Sequence, residues 1–253
     1  MATDPFFKLL DRVDSTNNYA MEQAHAGLAT HGMAWFAHEQ TAGKGQREKT
    51  WEAAPGKNIA LSVVLEPGQL KVAGQFYLSA AMALACFEFF SGYAGTATKI
   101  KWPNDIYWRD RKAGGILIEN VFLGTMWKYA VVGIGININQ VRFDSNLKNP
   151  VSLKQITGKE FDPLALAKEL YAVLMKRAEM LDSTNFKKTI QEYNQHLYRV
   201  NEKVRLKKEN MVFETMVNGV NNKGQLITKD TIERYFNFGE VEWLGESSMV
   251  NGE

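Results

Sequence analysis

The 253-residue chain contains one cysteine, four histidines, six prolines and almost no net charge. Each scarcity excludes something. Cys86 lies inside the apolar run LSAAMALACFEFF with no second cysteine to pair with, which fits a reducing, cytoplasmic compartment and a core residue rather than a nucleophile. His25, His31, His38 and His196 show neither a metal-ligand spacing nor a cysteine partner, so no dedicated metal site is expected. The absence of a G-x-S-x-G arrangement argues against a hydrolase built on a nucleophile elbow. With 30 basic and 28 acidic residues spread along the chain, the formal charge is +2, and no basic arm announces nucleic acid or a membrane surface. The N-terminal MATDPFFKLLDRVDS has no basic start followed by a long apolar stretch, and no run is read as approaching the ~18 residues needed to cross a bilayer.

What is present is material for a core. At 45% apolar and 11% aromatic, the chain can bury one large domain and carry a small second one. Ser15 or Thr16 can cap a helix reaching about Ala26, with Gly27 as its stop. WFAHEQ reads as a strand, TAGKGQREKTWEAAPGKN as a glycine-rich charged loop, and NIALSVVLE as a second strand ended by Pro67-Gly68. A long apolar helix spans roughly Gln75 to Phe90 and stops at Gly92. ATKIKWPND, GGILIENVF and KYAVVGIGINI then supply three strands. Two further helices cover Pro163 to Leu181 and Phe186 to Tyr198. From Glu202 the pattern changes to short strands (KVRL, VFETMVNGV, GQLIT and YFNFGEVEWL). These readings predict an α+β protein whose central mixed β-sheet is flanked by helices over residues 1–198. A small C-terminal β-barrel, or an open sheet, follows over residues 199–253, with SSMVNGE as a frayed tail.

Two glycine patterns invite nucleotide-binding labels and both fail. A Walker loop needs Gly where His38 stands and Ser or Thr where Gly45 stands; a dinucleotide fingerprint needs Gly at Glu48 or Ile138. What remains is Gly43 and Gly45 among Lys44, Arg47 and Lys49, read either as a phosphate-closing loop or as a solvated hairpin. Glycines inside the apolar strand at Gly133-Ile-Gly135 mark a close approach of ligand or backbone, or else a bulge. Asp14-Ser-Thr-Asn17 suits a helix cap and equally a small polar head group. The densest chemistry lies between Lys101 and Glu119, where one Lys, one Asp and two adjacent glycines interrupt strand-like runs.

Taken together, Asp14-Ser-Thr-Asn17, Glu39-Gln-Thr-Ala-Gly-Lys-Gly45, Trp51, Lys101-Trp-Pro-Asn-Asp105, Lys112-Ala-Gly-Gly-Ile-Leu-Ile-Glu119 and Gly133-Ile-Gly-Ile-Asn137 resemble, in order and spacing, the biotin-protein ligases. The resemblance spans nearly the whole chain. It implies activation of biotin by ATP as biotinyl-5'-AMP, then transfer to a lysine of a biotin carboxyl carrier protein. It further implies that Ser15, Thr16, Asn17, Gln40, Gly43, Gly115, Leu117 and Gly133 hold biotin. Lys44, Gln46, Arg47, Lys101 and Lys112 would serve phosphates, Trp51, Asn104 and Asn137 would frame adenine, and Lys112, Asp105 and Arg47 would carry catalysis. Mg²⁺ is expected with ATP, held mainly by phosphates and water.

The loop departs from the family's Gly-Arg-Gly-Arg-x-Gly-x-x-Trp. Lys44 and Gln46 replace the two arginines and Glu48 a glycine, so a weaker hold on the adenylate is expected, because Lys lacks the bidentate fork of Arg. Only thirteen residues precede Asp14, too few for a helix-turn-helix, so the resemblance is to the monofunctional class without DNA binding. A homodimer is possible, since some relatives pair through their central sheets. The rival readings are a lipoate or octanoate ligase or transferase of the same fold, and a biotin-binding module that has lost catalysis.

Overall fold

Strand β3 (Ile59–Leu65) is buried along its whole length, which a strand achieves when both faces of its sheet are covered. Ile59, Leu61, Val63 and Leu65 belong to the main core, whereas Val64 joins a smaller cluster on the other face. Side chains alternating along the strand separate the two. Around β3 lies a seven-stranded sheet in the order β1 (Phe7–Val13), β2 (Ala34–Gln40), β3, β7 (Met126–Ile136), β6 (Arg111–Leu123), β5 (Asp105–Trp108) and β4 (Thr98–Lys101). β1 and β2 pair in parallel and the other neighbours are antiparallel, so the sheet is mixed, as expected. The structure is a computed structural model and describes residues 5–244 apart from 48, 69, 71–73 and 183. Glu48 and the tail SSMVNGE therefore lie outside the described residues.

Helix α1 (Thr16–His25) covers the smaller cluster through Ala20 and Ala24, which meet Trp35, Val64, Tyr129 and Val131. The opposite face is covered by α2 (Gln75–Ala94), α4 (Pro163–Glu179) and α5 (Phe186–Gln195). A short helix α3 (Leu153–Thr157), not read from the sequence, is set by a capping box between Ser152 and Gln155. α2 runs past Gly92 to Ala94, with Gly95 as its C-cap. Its 20 residues are long and apolar enough to cross a membrane by length and composition, which corrects the expectation that no run came near that length. Tyr77, Leu78, Met82, Leu84 and Phe90 are nevertheless fully buried in the core. Cys86 sits among them, and burial pushes its thiol pKa up.

Two other readings change. ATKIKWPND is not one strand: β4 ends at Lys101, a turn with a cis Trp102–Pro103 peptide follows, and β5 returns antiparallel from Asp105. β1 was not read as a strand because most of its residues face solvent and no alternation shows.

The C-terminal region is an antiparallel sheet in the order β11 (Glu233–Phe236), β10 (Leu226–Lys229), β9 (Met211–Val220), β8 (Lys203–Lys208) and β12 (Glu242–Leu244). The expected barrel is not closed, because β11 and β12 are its two edges and do not pair. The segment joining them is drawn instead to the first sheet, where Phe238 packs edge-on against Trp102 at 6.2 Å. Leu206, Val217, Val220, Leu226 and Phe236 continue the main core, and Asn194 seals the junction by exchanging hydrogen bonds of 2.9 and 2.8 Å with the Val220 backbone.

Leu84, with no exposed surface, sits at the centre of this core. Leu84→Ala is expected to lower stability by about 2–5 kcal/mol, read from the midpoint of a urea unfolding curve at constant m-value.

Candidate active site

Register delivers the site. Ser62 on β3, Gly133 on β7 and Leu117 on β6 lie in one row across the sheet, and Ala60, Gly135, Gly115 and Asp105 form the next row on the same face. Gly133 and Gly135 keep that floor low. A Cβ at Gly133 would collide with the Asn17 side chain, and one at Gly135 with the Trp51 indole. The pairing of β7 with β3 and β6 runs through both positions without a register shift, so the glycines mark a close approach and not a bulge. Above this floor opens a cavity of about 870 Å³.

Over β3 and β7 the cavity is polar and uncharged. Gln40 Oε1 accepts from the Thr16 backbone N–H at 2.8 Å and from Thr16 Oγ1 at 3.0 Å. Ser62 Oγ lies 2.8 Å from both Thr16 Oγ1 and Asn17 Oδ1, and Asn17 Nδ2 donates to Glu119 Oε2 at 2.8 Å. Ser15 occupies the N-cap of α1, yet its side chain makes no capping hydrogen bond; it is buried and lines the cavity. The first turn of α1 thus presents hydroxyls and an amide to the cavity as well as starting a helix.

Over β5 and β6 the cavity is charged. Lys112 Nζ lies 2.7 Å from Asp105 Oδ1, both partly exposed. Lys101 is more enclosed. Its Nζ donates to Tyr107 Oη at 3.2 Å and sits 4.6 Å from the Tyr107 ring, 5.3 Å from Trp243 and 5.7 Å from Tyr198. Burial lowers its pKa to about 8, opposed by the nearby Asp105 carboxylate. An aromatic cage can offset part of that cost through the negative ring faces.

Of the residues expected from sequence, Gly43 alone does not line the cavity; it is buried, and its carbonyl accepts from Trp51 N at 2.8 Å, closing the loop. Asn104 and Asn137 line it, but their side-chain amides donate to the carbonyls of Ile116 and Val151, so both brace backbone. Lys44 Nζ is 3.8 Å from Glu119 Oε1, and Gln46 lines the wall. Arg47 also lines it, but its guanidinium is engaged by the C-terminal segment, donating to Gly239 O and Phe238 O. Sequence reasoning missed Ser62, although a hydroxyl inside NIALSVVLE was a usable signal, whereas the close approach it expected at Gly135 is made by Trp51. It also missed the wall from the second sheet, including Lys207, Phe238, Gly239 and Trp243, for which no local signal exists. The indole N–H groups of Trp51 and Trp243 are buried without a hydrogen-bond partner among the described residues. No cluster of three or more His, Cys, Asp or Glu side chains suited to a metal occurs among those residues.

A fold with these two ends of one cavity has known counterparts. Residues 9–137 match the Biotin/lipoate A/B protein ligase family. The biotin--[acetyl-CoA-carboxylase] ligase of Paracoccus denitrificans is 35% identical over 186 residues, covering 70% of this chain and 75% of that protein. The bifunctional ligase/repressor BirA of Bacillus spizizenii is 29% identical over 232 residues, 89% of this chain and 70% of its own length. The biotin protein ligase of Aquifex aeolicus, solved with biotin and ATP, shares the fold with a TM-score of 0.80 at 23% identity, covering 95% of this chain and 99% of that one. The chain belongs to the Biotin/lipoate A/B protein ligase family. Within that family it falls with the biotin-protein ligases, as KWPND and the Lys112 segment imply.

Gly133→Ala should push the Asn17 side chain out of its network and cost about 1–3 kcal/mol, seen as a lowered thermal midpoint. Lys101 generates a pH prediction. Its folded pKa is depressed to about 8, so between about pH 8 and 10.4 the unfolded chain binds more protons and stability rises with pH. In urea unfolding at a series of pH values, any stability advantage of Lys101→Met over the wild type should therefore shrink by on the order of 1–3 kcal/mol from pH 7 to 10.

Proposed function

We infer that this chain is an ATP-dependent biotin-protein ligase that forms biotinyl-5'-AMP and passes the biotinyl group to a lysine of a biotin carboxyl carrier protein. The observation that carries this reading is the pairing, inside one cavity, of a neutral hydrogen-bonding network over β3 and β7 with the Lys112–Asp105 pair over β5 and β6. The ureido ring of biotin is neutral with donors and acceptors on its rim, which suits Ser15, Thr16, Asn17 and Gln40. Its carboxylate tail then runs along Gly115 and Leu117 toward Lys112.

In the first step a carboxylate oxygen attacks the α-phosphorus of ATP, and the bond to pyrophosphate breaks. Lys112 offsets the negative charge that builds as this happens, a contribution that grows in a cavity partly screened from water. In the second step the acceptor amine attacks the acyl carbon, the bond to AMP breaks, and Asp105, beside Lys112, is placed to take the amine proton. Trp51 provides a flat apolar face over Gly135 on the adenine side. Mg²⁺ would come with ATP, held by phosphate oxygens and water, because Asp105 is already paired with Lys112. A cytoplasmic setting fits the single buried thiol.

Purified protein with Mg-ATP should release pyrophosphate with biotin and not with lipoate or octanoate. Lys112→Ala should lower that release about 100- to 1000-fold with an unchanged thermal midpoint within about 3 °C. Release only with an acyl acid would move the chain to the lipoate side of its family, and biotin binding without release would leave a non-catalytic module.

A further inference from the structure

Arg47 stands at the variable position of the loop motif, next to the family arginine that Gln46 replaces, and two of its five guanidinium N–H groups are turned to the C-terminal segment. Nη1 donates to Gly239 O at 3.1 Å, Nη2 donates to Phe238 O at 3.4 Å, and the guanidinium carbon lies 4.9 Å from the centre of the Phe238 ring. A Cβ at position 239 would have to displace the guanidinium, and the φ of +81° there suits glycine. Arg47 itself adopts φ +54°, a left-handed conformation that a non-glycine residue holds when surrounding contacts over-determine it. Phe238 in turn packs on Trp102 of the KWPND turn, and Trp102 Nε1 donates to Gly224 O at 2.9 Å. A continuous line of contacts therefore runs from the glycine-rich loop through the β11–β12 segment to the turn preceding Asp105.

We propose that Arg47 is a positioning residue that clasps the loop between β2 and β3 to the C-terminal sheet across the cavity, so that this chain retains its adenylate by closure between its two sheets. The proposal rests on the ligase reading. It follows from chemistry that the loop no longer offers: Gln46 carries no charge, Lys44 is a single point charge near Glu119, and neither reproduces a guanidinium fork on phosphate. Arg47 spends its fork on two carbonyls, which makes it a tether between sheets. A clasp lowers the rate at which the wall opens, and so the rate at which a bound intermediate escapes.

The clasp and a phosphate-binding role predict opposite results for two substitutions. Arg47→Lys keeps the charge but cannot span two carbonyls and stack on Phe238. Phe238→Ala leaves Arg47 intact and, at a site 44% exposed, spares the core. We expect Arg47→Ala, Arg47→Lys and Phe238→Ala each to speed loss of biotinyl-adenylate from the isolated enzyme–intermediate complex by about tenfold. The Arg47→Ala/Phe238→Ala double variant should be no worse than the larger single change, as for coupled neighbours. Hydrogen exchange of residues 43–51 without ligand should quicken in the same variants. Retention restored by Arg47→Lys and untouched by Phe238→Ala would overturn the clasp in favour of phosphate binding, as would unchanged loop exchange in all variants. If the wild type forms no intermediate at all, the ligase reading fails, while the exchange measurement still decides whether the clasp exists.

Discussion

Everything at this site depends on a steric allowance on β7. Two positions without side chains, Gly133 and Gly135, let an amide and an indole rest directly on the backbone of a central strand. Without that allowance the first turn of α1 could not approach β3 closely enough for Ser62 to join Thr16 and Asn17, and Trp51 could not close the loop over the sheet. The cost is borne by the strand, since glycine weakens a strand interior. It is offset by pairing on both sides, with β3 and β6 keeping their register with β7 through both glycines, and by the main core beneath.

The same sheet separates two electrostatic environments. Over β3 and β7 every polar group named is neutral until the network ends at Glu119, a partly exposed carboxylate that also faces Lys44. Over β5 and β6, cations crowd one carboxylate: Lys112 pairs with Asp105, and Lys101 is driven into an aromatic cage where burial depresses its pKa. Such a division suits a substrate that is neutral at its ring and reacts at an anionic end. The activity follows from the order in which strand rows deliver these groups along a single face, more than from any one residue.

The second sheet is part of the site wall. Because β11 and β12 do not pair, their connecting segment is free to lie across the cavity, bringing Phe238 to Trp102, while β12 itself carries Trp243 to Lys101. The family fold is retained while the glycine-rich loop departs in its charged residues, and in this chain Arg47 of that loop contacts Phe238 and Gly239 of the second sheet's connecting segment. Closure of a barrel would have removed that segment from reach.

Much of this was legible in the sequence. The strand runs NIALSVVLE and KYAVVGIGINI and the helices beginning at Thr16, Gln75, Pro163 and Phe186 were readable because local patterning sets them. All but one of the site residues implied by the family resemblance line the cavity, the exception being Gly43. The strand β1, the turn inside KWPND and the choice of an open over a closed C-terminal sheet were not readable, because exposure, turn geometry and edge pairing leave little trace in composition. The sequence by itself determined the main strands and helices and the motifs whose resemblance to the biotin-protein ligases implied the residues of the first sheet's side of the cavity, for motif order and patterning are local facts. Only the tertiary structure decided that Asn104 and Asn137 brace backbone, that Lys101 is caged, and that Arg47 reaches Phe238 and Gly239. Those outcomes depend on contacts between segments as far as 192 positions apart in the chain, and no local pattern encodes such a meeting.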